Sequence, residues 1–365
     1  MGPLSGIRII EFEAIGPAPY CGMLLADLGA DVILIEQAET GLQGDPAKDL
    51  TRRGKRSIVL DLKDRDDLAV ARELCRGADV LIEGRRPGAM ERLGLGPDDL
   101  MPDNPGLIYG RVTGWGQAGP LASAAGHDIN YIALSGILGA IGEKDRPPVP
   151  PLNLVGDYGG GSLFLAFGIL AAIIERQHSG RGQVIDAAIT DGAASLSTIF
   201  YALMAQGRWQ AERGHNLLDG SAPYYRCYET RDGKYISVGA IEPRFYRVLL
   251  EKLGLDPADF EPQNDQARWP AYIKRFEEVF KSRTRMEWCE LLEGTDACFA
   301  PVLDFEEAPF HPHNASRQAH IAQNGITAPA PAPRFSRAIG KADGGLPMKD
   351  QHRAEILAEI GPDRR

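Results

Sequence analysis

The feature that most constrains this chain is a strand, a helix and a second strand at its start. The run GIRIIEF at 6–12 is apolar and ends at the AIGPAP turn, and DVILIE at 31–36 has the same buried-strand character. Between them, residues 19–28 have helical spacing and are followed by Gly29, which stops the helix. Such a unit forms a right-handed crossover and places its two strands in parallel in one sheet.

Further apolar runs extend this parallel pattern. SIVLDL at 57–62, DVLIE at 79–83 and LIYGRV at 107–112 are predicted strands, with a helix at about 64–76 after the first of them. The sequence therefore predicts a Rossmann-like, doubly wound α/β domain. The dinucleotide fingerprint GxGxxG does not follow the first strand, where EAIGPAPY stands instead, and this disfavours a nicotinamide oxidoreductase.

The later part of the chain predicts a smaller α+β domain. We expect a large domain at 1–200 completed by 325–365, a linker at 201–222, and a small domain at 223–324. YYRCYETRDGKYISVGA predicts a hairpin that turns at Asp232-Gly233. The remaining predictions are helices at 162–177, 243–254, 267–281 and 286–293, an extended linker at 327–333, and docking of the last thirty residues on the first domain.

Composition excludes several classes of protein. The formal net charge of −10 argues against a general nucleic-acid binder, because phosphate binding needs clustered Lys and Arg. The five cysteines are scattered without CxxC spacing, which is typical of free thiols in a reducing compartment. The N-terminal residues lack the pattern of a signal peptide, and the apolar segment 161–174 is too short to span a bilayer. We therefore expect a cytoplasmic protein with no membrane partner.

A basic segment surrounds the third predicted strand. Its cations lie in TRRGKRSIVLDLK and are Arg52, Arg53, Lys55, Arg56 and Lys63. Such a run is more often a solvated charged turn, but it is also the composition of a clamp for phosphates. Because open α/β sheets bind ligands beyond the carboxyl ends of their strands, Arg85 and Arg86 after the fourth strand can add to the same clamp.

Three titratable residues are candidates for chemistry, and each also has a structural explanation. His127 follows a glycine, where a histidine more often serves structure, and Asp128 beside it suits a helix N-cap. Asp157 can cap the helix that begins in GGGS, and Glu242 can be the first-turn acid before Pro243. If His127 starts a helix, the free backbone N–H groups there can stabilise negative charge.

Several long motifs together resemble the class III CoA-transferase (CaiB/BaiF) superfamily, and more closely its α-methylacyl-CoA racemase branch. In chain order they are PYCGMLLADLGADV, RGKRSIVLDLK, RPGAMERLGLG, GRVTGWGQAGP, AGHDINYIALSG, PLNLVGDYGGGS, SGRGQVIDAAITDG, SAPYYRCYE, VGAIEPRFY and APAPRFSR. The resemblance covers nearly the whole chain. It implies an α/β large domain made from both chain ends, a small domain, and an interlocked homodimer.

The resemblance also implies roles for the three titratable residues. Asp157 matches the carboxylate that forms acyl anhydrides in the transferases, while His127 in GHDINY and Glu242 in IEPRFY match residues that the racemases add. The implied reaction inverts the α-carbon of 2-methyl-branched acyl-CoA thioesters, with His127 and Glu242 serving one face and Asp157 the other. No metal or organic cofactor is implied, because coenzyme A is part of the substrate.

Substrate contacts follow from the same resemblance and from the basic segment. By resemblance, CoA contacts fall on Leu60, Asp61, Leu62, Lys63, Arg86, Gly126, Asp128, Ile129, Asn130 and Tyr131. Arg53 and Lys55 are added as phosphate contacts, and N–H groups near His127 and Asp157 are expected to bind the enolate oxygen. Two alternatives remain open: a CoA-transferase that acts through an acyl-Asp157 anhydride, and a non-catalytic protein that binds CoA esters.

Overall fold

A computed structural model describes residues 2–38, 44–338, 340 and 344–360 of this chain. The chain divides into two compact units. The first contains Met1–Ile137, Pro151–Ser197 and Arg317–Arg365, and the second contains Leu138–Pro150 and Thr198–Ser316.

Helices and strands alternate through the first part of the chain, and a second group of strands and helices follows it. They are β1 (Arg8–Phe12), α1 (Pro17–Asp27), β2 (Asp31–Glu36), β3 (Arg56–Val59), α2 (Arg65–Arg76), β4 (Val80–Glu83), α3 (Ala89–Arg92), α4 (Pro97–Leu100), β5 (Ile108–Thr113), α5 (Asp128–Leu134), α6 (Leu163–Ser179), β6 (Val184–Ala188), α7 (Ile189–Leu196), α8 (Thr198–Ala205), β7 (Tyr225–Glu229), β8 (Tyr235–Gly239), α9 (Pro243–Leu253), α10 (Trp269–Phe280), α11 (Arg285–Leu292), β9 (Phe299–Val302), α12 (Pro312–Ser316), β10 (His320–Gln323), β11 (Ile326–Pro329) and α13 (Arg353–Ile360). A π-helix, Leu154–Ser162, leads into α6. Short 3₁₀ turns lie at Pro46–Lys48, Leu50–Arg52, Leu138–Ala140, Pro257–Phe260 and Ala308–Phe310.

The first unit is built on a six-stranded parallel sheet, which confirms the predicted α/β fold. The strand order is β3-β2-β1-β4-β5-β6, so the direction of the chain through the sheet reverses between β1 and β4. Strand β1 is central, and alternation along it sends Ile9 into the core on one face and Ile10 into the core on the other. A ligand site is expected beyond the carboxyl ends of β1 and β4, at this switch point.

The helix predicted at 162–177 begins earlier than the sequence indicated. The π-helix and α6 together form a helical run of 26 residues, Leu154–Ser179, which is long and apolar enough by length and composition to cross a membrane. One side of it, with Leu165, Ile169 and Ile173, packs into the core of the first unit. A buried core helix passes the same test of length and composition, so packing explains the apolar character of this side of the run.

The C-terminal segment returns to the first unit, as predicted. The Val59 N–H donates to Asp350 Oδ1 at 2.7 Å, and the His352 N–H donates to the Ser57 carbonyl at 3.0 Å. These bonds cover the edge strand β3, whose outer N–H and C=O groups would otherwise lack partners. The predicted extended linker at 327–333 is partly wrong, because β11 pairs with β10 in an antiparallel ladder.

The second unit contains the three-stranded antiparallel sheet β7-β8-β9. The predicted hairpin is confirmed: β7 pairs with β8, and Gly233 in its turn has a φ of 74°. The three predicted helices correspond to α9, α10 and α11. They surround an aromatic cluster in which the Phe280 ring contacts Tyr228 and Trp288, with centroids 5.0 and 5.1 Å away.

The boundaries of the units differ from those predicted. The segment expected to be a linker, 201–222, belongs to the second unit, and so does the excursion 138–150. Arg213 shows why, since its guanidinium donates to the carbonyls of Glu143, at 3.0 Å, and Gly139, at 3.4 Å. These bonds join two stretches of the second unit that are far apart in sequence.

Candidate active site

His127 and Asp157 line the same cavity of the first unit. This cavity has a volume of about 330 Å³ and lies beyond the carboxyl ends of β1, β4 and β5. Its wall includes the loop after β4, with Arg85 and Arg86, and Trp115 after β5. The cavity therefore occupies the switch point of the sheet, where open α/β folds place their ligands.

The backbone at His127 is held by its neighbours, while its imidazole is exposed. His127 is itself the N-cap of α5, so the prediction that Asp128 caps this helix is wrong. The His127 N–H donates to Asn130 Oδ1 at 3.0 Å, and the Tyr131 hydroxyl donates to the Gly126 carbonyl. These bonds fix the entry to α5 and leave the imidazole at the cavity wall.

Asp157 enters the cavity from within a helix. It lies inside the π-helix, so the prediction that it caps a helix beginning in GGGS is wrong. The Asn153 amide donates to Asp157 Oδ2 at 3.4 Å. Gly16, which has a φ of 71°, lies so close that a Cβ added there would be 3.0 Å from the same oxygen.

The surroundings of Asp157 raise the pKa of its carboxyl group. Burial is the largest cause and disfavours the charged form. The hydrogen bond from Asn153 opposes it, the negative charge of Asp128 raises the pKa further, and the His127 side chain lowers it. A carboxyl group whose pKa moves towards neutrality is better suited to both giving and taking a proton.

The backbone donors near the two side chains differ from those predicted. The His127 N–H is taken by Asn130, and the Asp157 N–H donates to Asp128 Oδ1 at 2.7 Å, so neither is available to an enolate. Among the described residues, the N–H groups of Asp128 and Ile129 in the first turn of α5 have no acceptor. These two N–H groups can therefore still donate to an acceptor outside the described residues, whereas those of His127 and Asp157 cannot.

The basic segment does not form the predicted phosphate clamp. Arg53 pairs with Asp27, and Lys55 Nζ donates to Glu11 Oε1 at 2.7 Å. Arg53 and Lys55 are only 3% and 2% exposed, so the prediction that they contact CoA phosphates is wrong. Their charges are taken by buried carboxylates of α1 and β1, because an unpaired charge in the interior would be strongly unfavourable.

The neighbouring arginines are also engaged within the unit. Arg52 makes a bidentate pair with Glu36, at 2.6 and 2.7 Å, and Arg56 pairs with Asp31 at 2.6 Å. The segment therefore joins the sheet to its surroundings through ion pairs.

Two predicted CoA contacts after β3 are core side chains. Leu60 and Leu62 are buried with Ile58 and Ile10 beneath α2, so their side chains cannot meet a ligand. Asp61 is exposed and accepts the Lys63 N–H at 3.0 Å. Any contact of Leu60 and Leu62 with CoA is therefore restricted to the backbone.

Cations remain accessible elsewhere in the first unit. Lys63 and Arg86 are exposed, and Arg86 lines the cavity of His127 and Asp157. Sequence reasoning missed Trp115 as a lining residue, although its position after a predicted strand could have indicated it. Its Nε1, like Nε of Arg85, is buried and has no hydrogen-bond partner among the described residues.

The other predicted residues are placed as follows. Gly126 and Tyr131 line the cavity, and Ile129 and Asn130 are exposed on the first turn of α5. Glu242 belongs to the second unit, where it is exposed at the N-cap of α9 and makes no side-chain cap. In the part of the chain that the structure describes, no group of three His, Cys, Asp or Glu side chains is placed to hold a metal.

Comparison with known proteins identifies the family. Residues 4–353 match the model of CoA-transferase family III. The chain belongs to this family. The resemblance predicted from the motifs, including its racemase branch, is thus confirmed.

Relatives within CoA-transferase family III cover nearly the whole chain. An α-methylacyl-CoA racemase from Mus musculus is 46% identical over 361 residues, which are 98% of this chain and 93% of that protein. The racemase of the same name from Homo sapiens is 44% identical over 366 residues, 99% of this chain and 94% of that protein. A CaiB/BaiF family protein from Brucella suis has a solved structure similar to this one, with a TM-score of 0.85, 29% identity and coverage of 98% and 99% of the two chains.

Proposed function

We propose that this protein is a racemase that inverts the α-carbon of 2-methyl-branched acyl-CoA thioesters by 1,1-proton transfer through an enolate. The observation that carries the proposal is the placement of two different proton-transfer groups, His127 and Asp157, on one cavity at the switch point. The names of the relatives, α-methylacyl-CoA racemases over nearly the whole chain, support the same substrate class.

The reaction needs one base and one acid on opposite faces of the stereocentre. In one direction the Asp157 carboxylate takes the α-proton, the electron pair moves into the enolate, and the His127 imidazolium delivers a proton to the other face. In the reverse direction the neutral imidazole is the base and the protonated carboxyl group is the acid. The raised pKa of Asp157, caused mainly by burial, favours this exchange of roles, because it makes the protonated carboxyl group easier to form than in an ordinary aspartate.

Enolate stabilisation is assigned in this proposal to the first turn of α5. The N–H groups of Asp128 and Ile129 can donate to the thioester oxygen as negative charge develops there. Each preorganised donor of this kind is worth roughly 3 kcal/mol in the transition state. Arg86 on the same cavity provides a cation for the phosphates of CoA.

The proposal includes an interlocked homodimer in which Glu242 of the partner subunit orients His127. A carboxylate bonded to an imidazole nitrogen fixes its tautomer and raises its basicity. Support for a partner comes from the outer side of the helical run Leu154–Ser179, where Leu163, Phe167 and Ile174 are 52%, 72% and 60% exposed. A contiguous apolar face of this kind is typical of an interface between proteins.

Proton exchange tests the function. The purified protein is incubated in D₂O with one enantiomer of a 2-methylacyl-CoA and no acceptor acid, and proton NMR follows the α-proton while chiral analysis follows inversion. We expect the α-proton signal to be lost and the other enantiomer to appear. Turnover only with an acceptor acid, with hydroxylamine trapping an acyl-Asp157 adduct, would identify a CoA-transferase instead. Binding without exchange at high protein concentration would identify a non-catalytic CoA-ester-binding protein.

A further inference from the structure

The carboxylate of Asp128 is buried next to the backbone N–H of Asp157. Asp128 is 8% exposed, and its Oδ1 accepts the Asp157 N–H at 2.7 Å. It also accepts a backbone hydrogen bond from Gly156. Its second oxygen, Oδ2, is buried and has no hydrogen-bond partner among the described residues. A buried carboxylate that is bonded on one oxygen and unpaired on the other needs an explanation.

The geometry of the π-helix supplies one part of the explanation. The N–H groups in the first turn of a helix have no partner inside it, and those of Gly156 and Asp157 fall in this turn. Asp128 satisfies both, and the approach is so close that a Cβ on Gly156 would lie 2.2 Å from Asp128 Oδ1. The bond therefore fixes the backbone from which the Asp157 side chain projects to the cavity.

We propose that Asp128 is a positioning residue for the reaction, which holds the Asp157 backbone in place and sets the electrostatic environment of its carboxyl group. The inference rests on the proposed function, because it assigns a role within the same proton transfer. Asp128 was predicted as a helix N-cap and as a CoA contact, and its buried carboxylate gives it a different task.

The charges that face Asp157 determine the direction of the electrostatic effect. Asp128 raises the pKa of Asp157, while the His127 side chain and the Asn153 amide lower it. The Tyr131 hydroxyl also faces Asp157. Burial and then the charge of Asp157 raise the pKa of this hydroxyl, while the charge of Arg86 lowers it. Since no cation neutralises Asp128 Oδ2 among the described residues, removing its charge is expected to lower the pKa of Asp157.

Two substitutions separate the backbone bond from the charge. Asp128→Asn keeps an oxygen that accepts the Asp157 N–H but removes the charge, whereas Asp128→Ala removes both. We expect Asp128→Asn to keep kcat within about ten-fold of wild type. With the enantiomer for which Asp157 is the base, the acidic limb of its pH profile should move to lower pH. We expect Asp128→Ala to lower kcat about 100-fold with KM little changed, because the catalytic group is misplaced. If the alanine variant does not fold, Asp128→Val, which also has no side-chain acceptor, replaces it.

A matched control and a direct titration complete the experiment. Asp191→Asn removes one charge from an exposed acid of α7 in the same unit, and its pH profile should match wild type. Carbon-13 NMR of aspartate-labelled protein, with the Asp157 signal identified by its loss in Asp157→Asn, reports the pKa of Asp157 without turnover. We expect this pKa to fall in Asp128→Asn and not in Asp191→Asn.

The outcomes distinguish this inference from the proposed function. An Asp157 pKa and an acidic limb unchanged in Asp128→Asn would overturn the electrostatic role. Wild-type kcat in Asp128→Ala or Asp128→Val would overturn the positioning role. If the wild-type protein binds acyl-CoA but does not exchange its α-proton, the proposed function is wrong, and Asp128 then has no role in catalysis. The NMR titration would still decide whether Asp128 controls Asp157.

Discussion

At the scale of single residues, the site depends on how closely the backbone approaches Asp157. His127 and Asp157 could be picked out from sequence, but each had an ordinary structural explanation until the structure placed both on one cavity. The role of Gly16 could not be predicted, because its neighbour Asp157 is distant along the chain. Only the fold shows that the turn after β1 passes against that carboxyl group.

Substituting Gly16 by alanine is expected to impair the reaction beyond its effect on stability. The positive φ costs an L-residue roughly 1–2 kcal/mol, and the new Cβ would also press on Asp157 Oδ2. We expect kcat to fall about ten-fold or more. Gly6→Ala is the control, since Gly6 also has a positive φ, of 92°, but a Cβ there meets nothing within 4 Å. If Gly6→Ala lowers kcat as much as Gly16→Ala for the same loss of stability, crowding of Asp157 is not the cause.

At the scale of elements, the basic segment shows where sequence reasoning failed. A run of cations has the same composition whether it faces phosphates or buried carboxylates. The partners Asp27 and Glu11 lie on α1 and β1, far from Arg53 and Lys55 in sequence. Their pairing appears only when the elements pack. The strands and most helices were predictable because their apolar periodicity is local.

Substitution of Arg53 should lower the stability of the fold, whereas substitution of Arg86 should weaken CoA binding. Arg53→Ala would leave Asp27 buried without its cation, and we expect the free energy of unfolding to fall by roughly 3–5 kcal/mol. Arg86→Ala removes an exposed cation from the cavity wall, so stability should stay within about 0.5 kcal/mol while CoA binding weakens. Urea denaturation and calorimetric titration with CoA measure the two effects. An Arg53→Ala protein that is as stable as wild type but binds CoA more weakly would support the original prediction that Arg53 contacts the CoA phosphates.

At the scale of the whole molecule, the parallel sheet and the return of the C-terminal segment could be predicted. The unit boundaries could not, because the excursion 138–150 is assigned by long-range bonds from Arg213. The apolar outer side of the helical run Leu154–Ser179 is a property of the folded chain as well. Its buried side was predictable from hydrophobicity, but the same hydrophobicity does not reveal that Phe167 is exposed.

A charged residue on this outer side should prevent self-association. We expect Phe167→Asp to convert the proposed homodimer into a monomer, because a carboxylate would have to be buried in an apolar interface. Light scattering coupled to size-exclusion chromatography gives the mass. Phe310→Asp is the control, since Phe310 is 83% exposed but belongs to the second unit and not to this helical run. A dimer that survives Phe167→Asp would place the interface elsewhere.

The central claim is that His127 and Asp157 act on opposite faces of one carbon. The most direct measurement is the rate of α-proton exchange in D₂O for each pure enantiomer of a 2-methylacyl-CoA, in His127→Ala and in Asp157→Asn. We predict that both variants lose racemisation, and that each retains exchange with one enantiomer only, the enantiomer being opposite in the two variants. Exchange of the same enantiomer in both variants, or near-wild-type racemisation in either, would contradict the two-face arrangement.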